Sequence, residues 1–184
     1  MNILSHIQNA DLSVVRFIRE NLTCPFLDFL MPALSKLGDK GIFFLAVAIL
    51  FIIINKGKSR KTGLIMLIAI ITGFIIGNLT LKPLIMRQRP CWIDSVALLV
   101  KNPDDYSFPS GHTLVSFEAT VPIFMCMSKK WGVLAIAFAC VIAFSRLYLY
   151  VHFPTDVITG AILGTLFAIL SKMVVEYFEK KKKI

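Results

Sequence analysis

Long runs of apolar residues are the feature that most limits how this chain can fold. A short run at 24–37 contains Asp28 and Pro32, and five clearer runs follow it along the chain. Runs of this kind favour helices in a lipid bilayer, whose hydrocarbon core is ~30 Å thick. The five clear runs cover 41–55, 62–82, 112–127, 131–150 and 155–176.

The composition supports the same interpretation. Hydrophobic residues make up 57% of the 184 positions, charged residues make up 17%, and the mean hydropathy is +0.75. A soluble domain needs more polar surface than this chain supplies. We therefore predict one domain over residues 1–184, an all-α polytopic transmembrane helix bundle with about six membrane helices. Residues 8–21, in which charge alternates with apolar side chains, predict an amphipathic helix at the membrane interface.

The basic residues cluster at the ends of the apolar runs, and this sets the expected orientation. The formal charge is +9, carried largely by the loops 56–61 and 128–130 and by a basic tail at 177–184. If each clear run crosses once, these segments share one face, which the positive-inside rule makes cytoplasmic. The segments 83–111 and 146–155 then lie on the extracytoplasmic face. The basic residues suit anionic lipid headgroups, and no motif indicates binding to nucleic acid.

Three short polar clusters lie at the ends of apolar runs on that extracytoplasmic face. They contain three cations, two histidines and one carboxylate. Three cations suit a phosphate group, and two histidines can break a phosphate ester, one as nucleophile and one as proton donor. The clusters are Lys82-(six residues)-Arg89-Pro90, Pro109-Ser110-Gly111-His112 and Ser145-Arg146-(five residues)-His152-(three residues)-Asp156.

Each cluster has a structural alternative when it is considered alone. Ser110 is suited to cap a helix and Gly111 allows a ligand to approach the first N–H groups, yet His112 could be incidental to a capping motif. The spacing of His152 and Asp156 suits a carboxylate that orients an imidazole, yet structural pairs have the same spacing. Basic residues at the end of a membrane helix can also simply extend toward water.

Taken together, the three clusters resemble the tripartite signature of the type 2 phosphatidic acid phosphatase family, which shares its active site with vanadium haloperoxidases. The resemblance implies that His152 attacks phosphorus, that Asp156 supports it, and that His112 protonates the leaving oxygen. It implies no metal and no other cofactor. The residues that it assigns to the phosphoryl oxygens are Lys82, Arg89, Ser110, Gly111 and Arg146.

The same resemblance implies a bacterial lipid phosphatase, and the orientation expected from the basic loops places its active site on the outer face of the plasma membrane. Undecaprenyl diphosphate, phosphatidylglycerol phosphate and phosphatidic acid all remain open as substrates. A lipid phosphotransferase and a non-enzymatic lipid-binding protein are the alternatives, while a haloperoxidase is disfavoured because such enzymes are soluble and larger. The oligomeric state also stays open. The pairs Gly73/Gly77 and Gly160/Gly164 favour close helix packing within one chain over a dimer interface.

One carboxylate falls outside the signature. Glu118 lies inside the run that begins at His112, where a charge costs about 2.5–3.5 kcal/mol. Six residues place it ~9 Å deeper than His112 and on another side of the helix. We expect Glu118 to have a packing role rather than a catalytic one.

The orientation can be tested with single cysteines at Asn102 and at Lys58, in a background without the four native cysteines. An impermeant maleimide applied to intact cells should label the Asn102 site and should leave the Lys58 site unlabelled until the cells are opened. The reverse pattern would place the three clusters in the cytoplasm.

Overall fold

The computed structural model describes residues 3–54 and 57–181, and within these ranges the regular structure is entirely helical. The prediction of an all-α fold is confirmed. The α-helices, in chain order, are α1 (Ile3–Asn21), α2 (Pro25–Lys36), α3 (Ile42–Ile54), α4 (Lys58–Gly73), α5 (Lys82–Ile85), α6 (Pro90–Ile93), α7 (Gly111–Cys126), α8 (Lys129–Tyr148) and α9 (Pro154–Lys181).

Helix α7 is the central element of the bundle and packs against α4, α8 and α9. Nine of its residues are buried, and these include Ser116 and Thr120. The hydroxyl of Ser116 donates to the carbonyl of His112, and that of Thr120 donates to the carbonyl of Ser116. These two hydroxyl groups therefore satisfy their hydrogen bonds within the helix, as a nonpolar environment requires.

Small residues let the neighbouring helices approach α7 closely. A Cβ atom at Gly160 would lie 2.8 Å from the carbonyl oxygen of Ser110, and one at Gly164 would lie 2.6 Å from that of Leu114. Similarly, Gly73 faces Glu118 and Gly77 faces Leu114. All four glycines thus contact α7 of the same chain, which supports packing within one bundle.

The predicted run 62–82 is one continuous helical path, but its backbone changes character at Gly73. After α4 the segment Phe74–Leu81 is π-helical, and α5 then begins at Lys82. The segment brings Gly77 against Leu114 and Asn78 against Gly111. Irregularities of this kind often lie beside functional sites.

Length and apolar composition identify the helices that can cross a membrane. Among the described residues, three helices are long and apolar enough to cross a membrane, and a fourth span results if the bent pair Pro25–Lys36 and Asp39–Ile54 counts as one. Helices α3 and α7 have 13 and 16 residues, which is short for a ~30 Å crossing at 1.5 Å per residue. The count of about six is therefore not confirmed.

The exposed surface is rich in large apolar side chains, such as Phe29, Ile53 and Ile162, as expected of helices that face lipid.

Two predicted segments are more helical than expected. The predicted loop 83–111 contains α5 and α6, because Pro83 and Pro90 suit the first turn of a helix, and Gly111 already belongs to α7. The predicted tail 177–184 continues α9 as far as Lys181, and residues 182–184 lie outside the described ranges. Lys61 of α4 fixes this end of α9 through ion pairs of 3.1 Å to Glu176 and 2.9 Å to Glu179.

The predicted amphipathic helix 8–21 is part of the longer helix α1 and covers the other end of the bundle. Leu12 and Val15 are buried against Tyr150 and Phe153, in the turn between α8 and α9. The helix therefore packs on the segment that contains the third cluster. Its placement at a membrane interface stays a prediction.

Candidate active site

The three clusters meet at one cavity of about 1090 Å³. The N–H of Ser110 donates a hydrogen bond of 3.1 Å to the carbonyl of Asp156, and this bond connects the start of α7 to the start of α9. This contact brings the second and third clusters together, and the path from α4 to α6 adds the first. Six predicted site residues line the cavity, and they are Lys82, Arg89, Gly111, His112, Arg146 and His152.

The two nitrogens of His152 have different partners. Nε2 lies 3.1 Å from Nη1 of Arg89, and Nδ1 lies 3.5 Å from Oδ2 of Asp156. A guanidinium can only donate hydrogen bonds, so Nε2 must accept and the ring proton belongs on Nδ1. Burial and the positive charges of Arg89, Arg146 and Lys82 lower the pKa of His152 well below its ordinary value. The imidazole is therefore neutral near pH 7, and its Nε2 lone pair accepts the hydrogen bond from Arg89.

Asp156 is fully buried behind His152, and its carboxylate has several other donors. Oδ2 accepts the hydroxyl of Ser107 and the N–H of Phe153, the latter at 2.9 Å. At 3.5 Å the contact with His152 is longer than a hydrogen bond. The spacing of four residues thus places the pair correctly, but Ser107 and the backbone occupy the oxygen that faces the ring.

Arg87 neutralises Asp156 from the side opposite His152. Its Nη1 lies 2.5 Å from Oδ1 of Asp156, and its Nη2 lies 2.6 Å from Oδ2 of Asp11 in α1. Its guanidinium carbon lies 4.1 Å from the centroid of the Phe153 ring. One cation thus holds two buried carboxylates and joins α1 to the start of α9.

Lys82 and Arg89 share a carboxylate from the loop that precedes α7. Nζ of Lys82 lies 2.5 Å from Oδ2 of Asp105, and Nη2 of Arg89 lies 2.6 Å from Oδ1. Partial burial would raise the pKa of Asp105, but Lys82 and Arg89 outweigh it and lower that pKa to about 2. The side chain of Asp105 is half exposed, so a phosphate oxygen would compete with it for the same two cations.

Arg146 is buried near the end of α8 with few partners. Its Nη1 donates to the hydroxyl of Ser35 in α2. Within the described part of the chain its Nε has no hydrogen-bond partner. Because the side chain also lines the cavity, it presents unsatisfied donor capacity to an incoming anion.

The start of α7 supplies further donors. Ser110 occupies the N-cap position as predicted, but its hydroxyl accepts from the hydroxyl of Thr113, at 3.0 Å, rather than capping the backbone. At Gly111 a Cβ atom would lie 3.0 Å from the side-chain oxygen of Asn78. The helix N-terminus therefore faces the cavity beside a polar side chain from the π-helical segment.

His112 and Glu118 both line the cavity but have very different partners. Nε2 of His112 lies 2.9 Å from Oδ1 of Asp39, at the turn between α2 and α3. Glu118 is buried against Gly73, and its Oε1 has no hydrogen-bond partner among the described residues. The predicted packing contact of Glu118 is present, whereas a hydrogen bond to that oxygen is not.

Sequence reasoning missed four residues of this site, which are Asp39, Arg87, Asp105 and Ser107. None belongs to the three clusters, and each is identified only by its contacts in the fold. In the described ranges no three histidine, cysteine, aspartate or glutamate side chains lie close enough together to hold a metal ion. Independence from metals stays a prediction.

The structure thus brings a histidine with a carboxylate behind it and three cations to one cavity of the helix bundle. The family model of the PAP2 superfamily matches residues 61–180, and the chain belongs to that superfamily. The family predicted from the sequence is therefore confirmed.

Known members resemble the chain in sequence and in structure. Undecaprenyl-diphosphatase of Sulfolobus acidocaldarius is 33% identical over 146 residues, which cover 79% of this chain and 69% of that protein. Phosphatidylglycerophosphatase B of Bacillus subtilis is 33% identical over 184 residues, which cover 90% of this chain and 83% of that protein. The crystal structure of Aquifex aeolicus LpxE superimposes with a TM-score of 0.76 and 27% identity, over 88% of this chain and 94% of that one. These similarities confirm the prediction of a phosphatase and of a multi-pass membrane protein.

The Arg87 network allows the contribution of a buried ion pair to be compared with that of an exposed one. Arg87→Met leaves Asp11 and Asp156 buried without their cation, and removing one partner of a buried pair typically costs about 3–5 kcal/mol. We expect lower thermal stability in detergent and at least tenfold lower activity. The matched control is Arg16→Met, because Arg16 pairs with Asp94 at 2.7 Å on the surface, where such pairs contribute about 0–1 kcal/mol. Equal behaviour of the two variants would show that the network is dispensable.

Proposed function

We propose that the chain is an integral-membrane lipid phosphatase that removes the terminal phosphate of a lipid phosphate or diphosphate through a phosphohistidine intermediate. The observation that carries this proposal is the placement of His152 between Arg89 and Asp156, from which its tautomer is inferred. Its unprotonated Nε2 faces the cavity beside Arg89, and Asp156 lies behind its Nδ1. This is the arrangement that a nucleophilic imidazole requires.

In the first step, Nε2 of His152 forms a bond to phosphorus while the bond from phosphorus to the lipid oxygen breaks. Lys82, Arg89 and Arg146 offset the charge on the three equatorial oxygens, and the backbone N–H groups at Gly111 add donors. His112 gives a proton to the leaving oxygen. The positive charge that develops on the His152 ring is offset by Asp156, which Arg87 and Ser107 hold in place.

In the second step, water replaces the imidazole on phosphorus. His112, now neutral, accepts a proton from that water and returns to its protonated form. The bond between phosphorus and Nε2 breaks, and inorganic phosphate leaves. The net reaction consumes one water and releases the dephosphorylated lipid.

A lipid substrate is supported by the walls of the cavity and by the relatives. The apolar residues that line the cavity from α2, α4, the π-helical segment and α7 are Pro32, Ile70, Phe74, Leu114 and Val115. Undecaprenyl-diphosphatase and phosphatidylglycerophosphatase B, as their names state, both act on lipid phosphates. Undecaprenyl diphosphate, phosphatidylglycerol phosphate and phosphatidic acid are the candidate substrates, and phosphate transfer to an acceptor other than water is the alternative reaction.

The basic ends of the helices support a site on the outer face of the plasma membrane. Lys58 and Lys61 at the start of α4, Lys129 at the start of α8 and Lys181 at the end of α9 belong to the end of the bundle opposite the cavity. If that end faces the cytoplasm, as its charge favours, the cavity faces outward. Candidate substrates are then lipids of the outer leaflet.

Chelation and vanadate test whether side chains neutralise the phosphate. Release of inorganic phosphate from a panel of lipid phosphates and diphosphates in detergent should persist in excess EDTA. Vanadate should inhibit, because its trigonal-bipyramidal form resembles the transition state and suits the space among Lys82, Arg89 and Arg146. Loss of activity in EDTA that Mg²⁺ restores, or no inhibition by millimolar vanadate, would contradict the mechanism.

Substitution of each histidine tests the assigned roles. His152→Ala should leave only background hydrolysis, because the covalent step is gone. His112→Ala should lose about 10²–10⁴-fold with a lipid phosphate, but an aryl phosphate with an acidic leaving group should rescue its first step. It should also accumulate phosphohistidine, detected after a quench that avoids acid, because the second step lacks its base.

Asp156→Asn should behave as a weaker His152 variant, since the imidazole remains while its support is lost. The loss of activity should therefore be larger for His152→Ala than for Asp156→Asn. Appreciable turnover by His152→Ala, together with no trapped phosphoenzyme in His112→Ala, would show that the roles are wrong.

A further inference from the structure

The second histidine of the site has a carboxylate partner that lies outside the three clusters. Oδ1 of Asp39 lies 2.9 Å from Nε2 of His112. Asp39 belongs to the short 3₁₀ turn Asp39–Gly41 between α2 and α3, and its side chain is 60% exposed. Both residues line the cavity.

The turn is built closely against the first turns of α7, and this fixes Asp39 relative to the imidazole. A Cβ atom at Gly38 would lie 2.5 Å from Cδ2 of His112, so the ring edge that carries Cδ2 faces the turn. Gly41 has a φ of +68°, and a Cβ atom there would lie 3.0 Å from Val115. The left-handed conformation and the close approach both favour glycine.

We propose that Asp39 is a positioning residue for His112 and determines which ring nitrogen transfers the proton. The carboxylate accepts a hydrogen bond from Nε2–H. Nδ1 lies on the ring edge away from the Cδ2 side that packs on Gly38, and it is the nitrogen that exchanges a proton with the reacting oxygens. This inference rests on the proposed function, because it concerns the acid and base of that reaction.

The proton balance is complete in both steps. In the first step the Nδ1–H bond of the imidazolium breaks and the proton goes to the leaving oxygen, while Nε2–H stays bonded to Asp39. In the second step the Nδ1 lone pair takes a proton from the attacking water. The neutral ring between the steps therefore has its proton on Nε2, which is the tautomer that Asp39 stabilises.

The charges around His112 give Asp39 a second effect. Burial of the ring disfavours its charged form most, the positive charges of Arg146 and Arg89 add to this effect, and Lys36 lies near Asp39 itself. Cations disfavour the imidazolium that the first step requires, and a carboxylate in contact favours it. Because Asp39 is largely exposed, solvent screens its charge, and we expect about a tenfold effect rather than the full contribution of the acid.

The test compares two substrates that differ in how much they need the acid. For Asp39→Ala, kcat/KM with dodecyl phosphate should fall about tenfold, while kcat/KM with 4-nitrophenyl phosphate should change less than about twofold. The ratio kcat/KM reports only the steps up to the phosphoenzyme, so the second step does not enter. Asp39→Glu, which keeps the carboxylate, should recover part of the loss. The matched control is Asp104→Asn, which removes a carboxylate that lines the same cavity from the loop.

A double-variant comparison shows whether Asp39 acts through His112. In a His112→Ala background, Asp39→Ala should produce no further loss with dodecyl phosphate. An equal loss with both substrates, an additional loss in that background, or no loss at all would overturn the inference. Failure of the proposed function is distinguishable, because it would appear as turnover by His152→Ala whatever Asp39 does.

Discussion

Compensation of buried charge is the condition on which the whole site depends. Lys82, Arg89 and Arg146 are each less than a tenth exposed and line the same cavity. Removing such a cation from water costs on the order of several kcal/mol unless hydrogen-bond acceptors replace the lost hydration. The carbonyls of Val151 and Asp105, the hydroxyl of Ser35 and one loop carboxylate supply part of that replacement. What remains is a positive cavity with unsatisfied donors, and this favours a dianionic ligand.

Arg87 and Arg89 are two positions apart in the chain and have opposite functions. Arg87 is directed toward Asp156 and Asp11, and it supplies one cation to these two buried carboxylates. Arg89 lines the cavity and contacts Nε2 of His152. The short stretch between α5 and α6 holds both residues. In the proposed mechanism, the support of His152 and the binding of the phosphate therefore depend on the same backbone. Helix α1 packs against Tyr150 and Phe153 and so covers the turn that contains His152.

The sequence predicted the features that follow from local pattern and from topology. The apolar runs predicted the main helices, and their basic flanks predicted which helix ends lie together. The spacing within the clusters identified residues that line one cavity. The partners of those residues could not be predicted, because they are distant in the chain. Asp39 lies 73 positions from His112, Arg87 lies 69 from Asp156, and Ser107 lies 49 from Asp156. The π-helical path after Gly73 likewise depends on the packing of α4 against α7, which no local pattern encodes.

The division between rigid and adaptable parts follows from these contacts. The two histidines and Asp156 lie at the starts of α7 and α9, where Gly160 and Gly164 hold the helices in direct contact. Asp105 lies in an irregular loop with its side chain half exposed, and it holds the cations that a phosphate needs. A phosphorus atom can reach Nε2 of His152 only if the 3.1 Å contact between that nitrogen and Arg89 opens. In the proposed mechanism, the guanidinium of Arg89 then exchanges its contacts with Asp105 and His152 for contacts with the substrate, so its positive charge still has an anionic partner. Substrate binding therefore exchanges one anion for another, while the helix packing that positions the nucleophile stays intact.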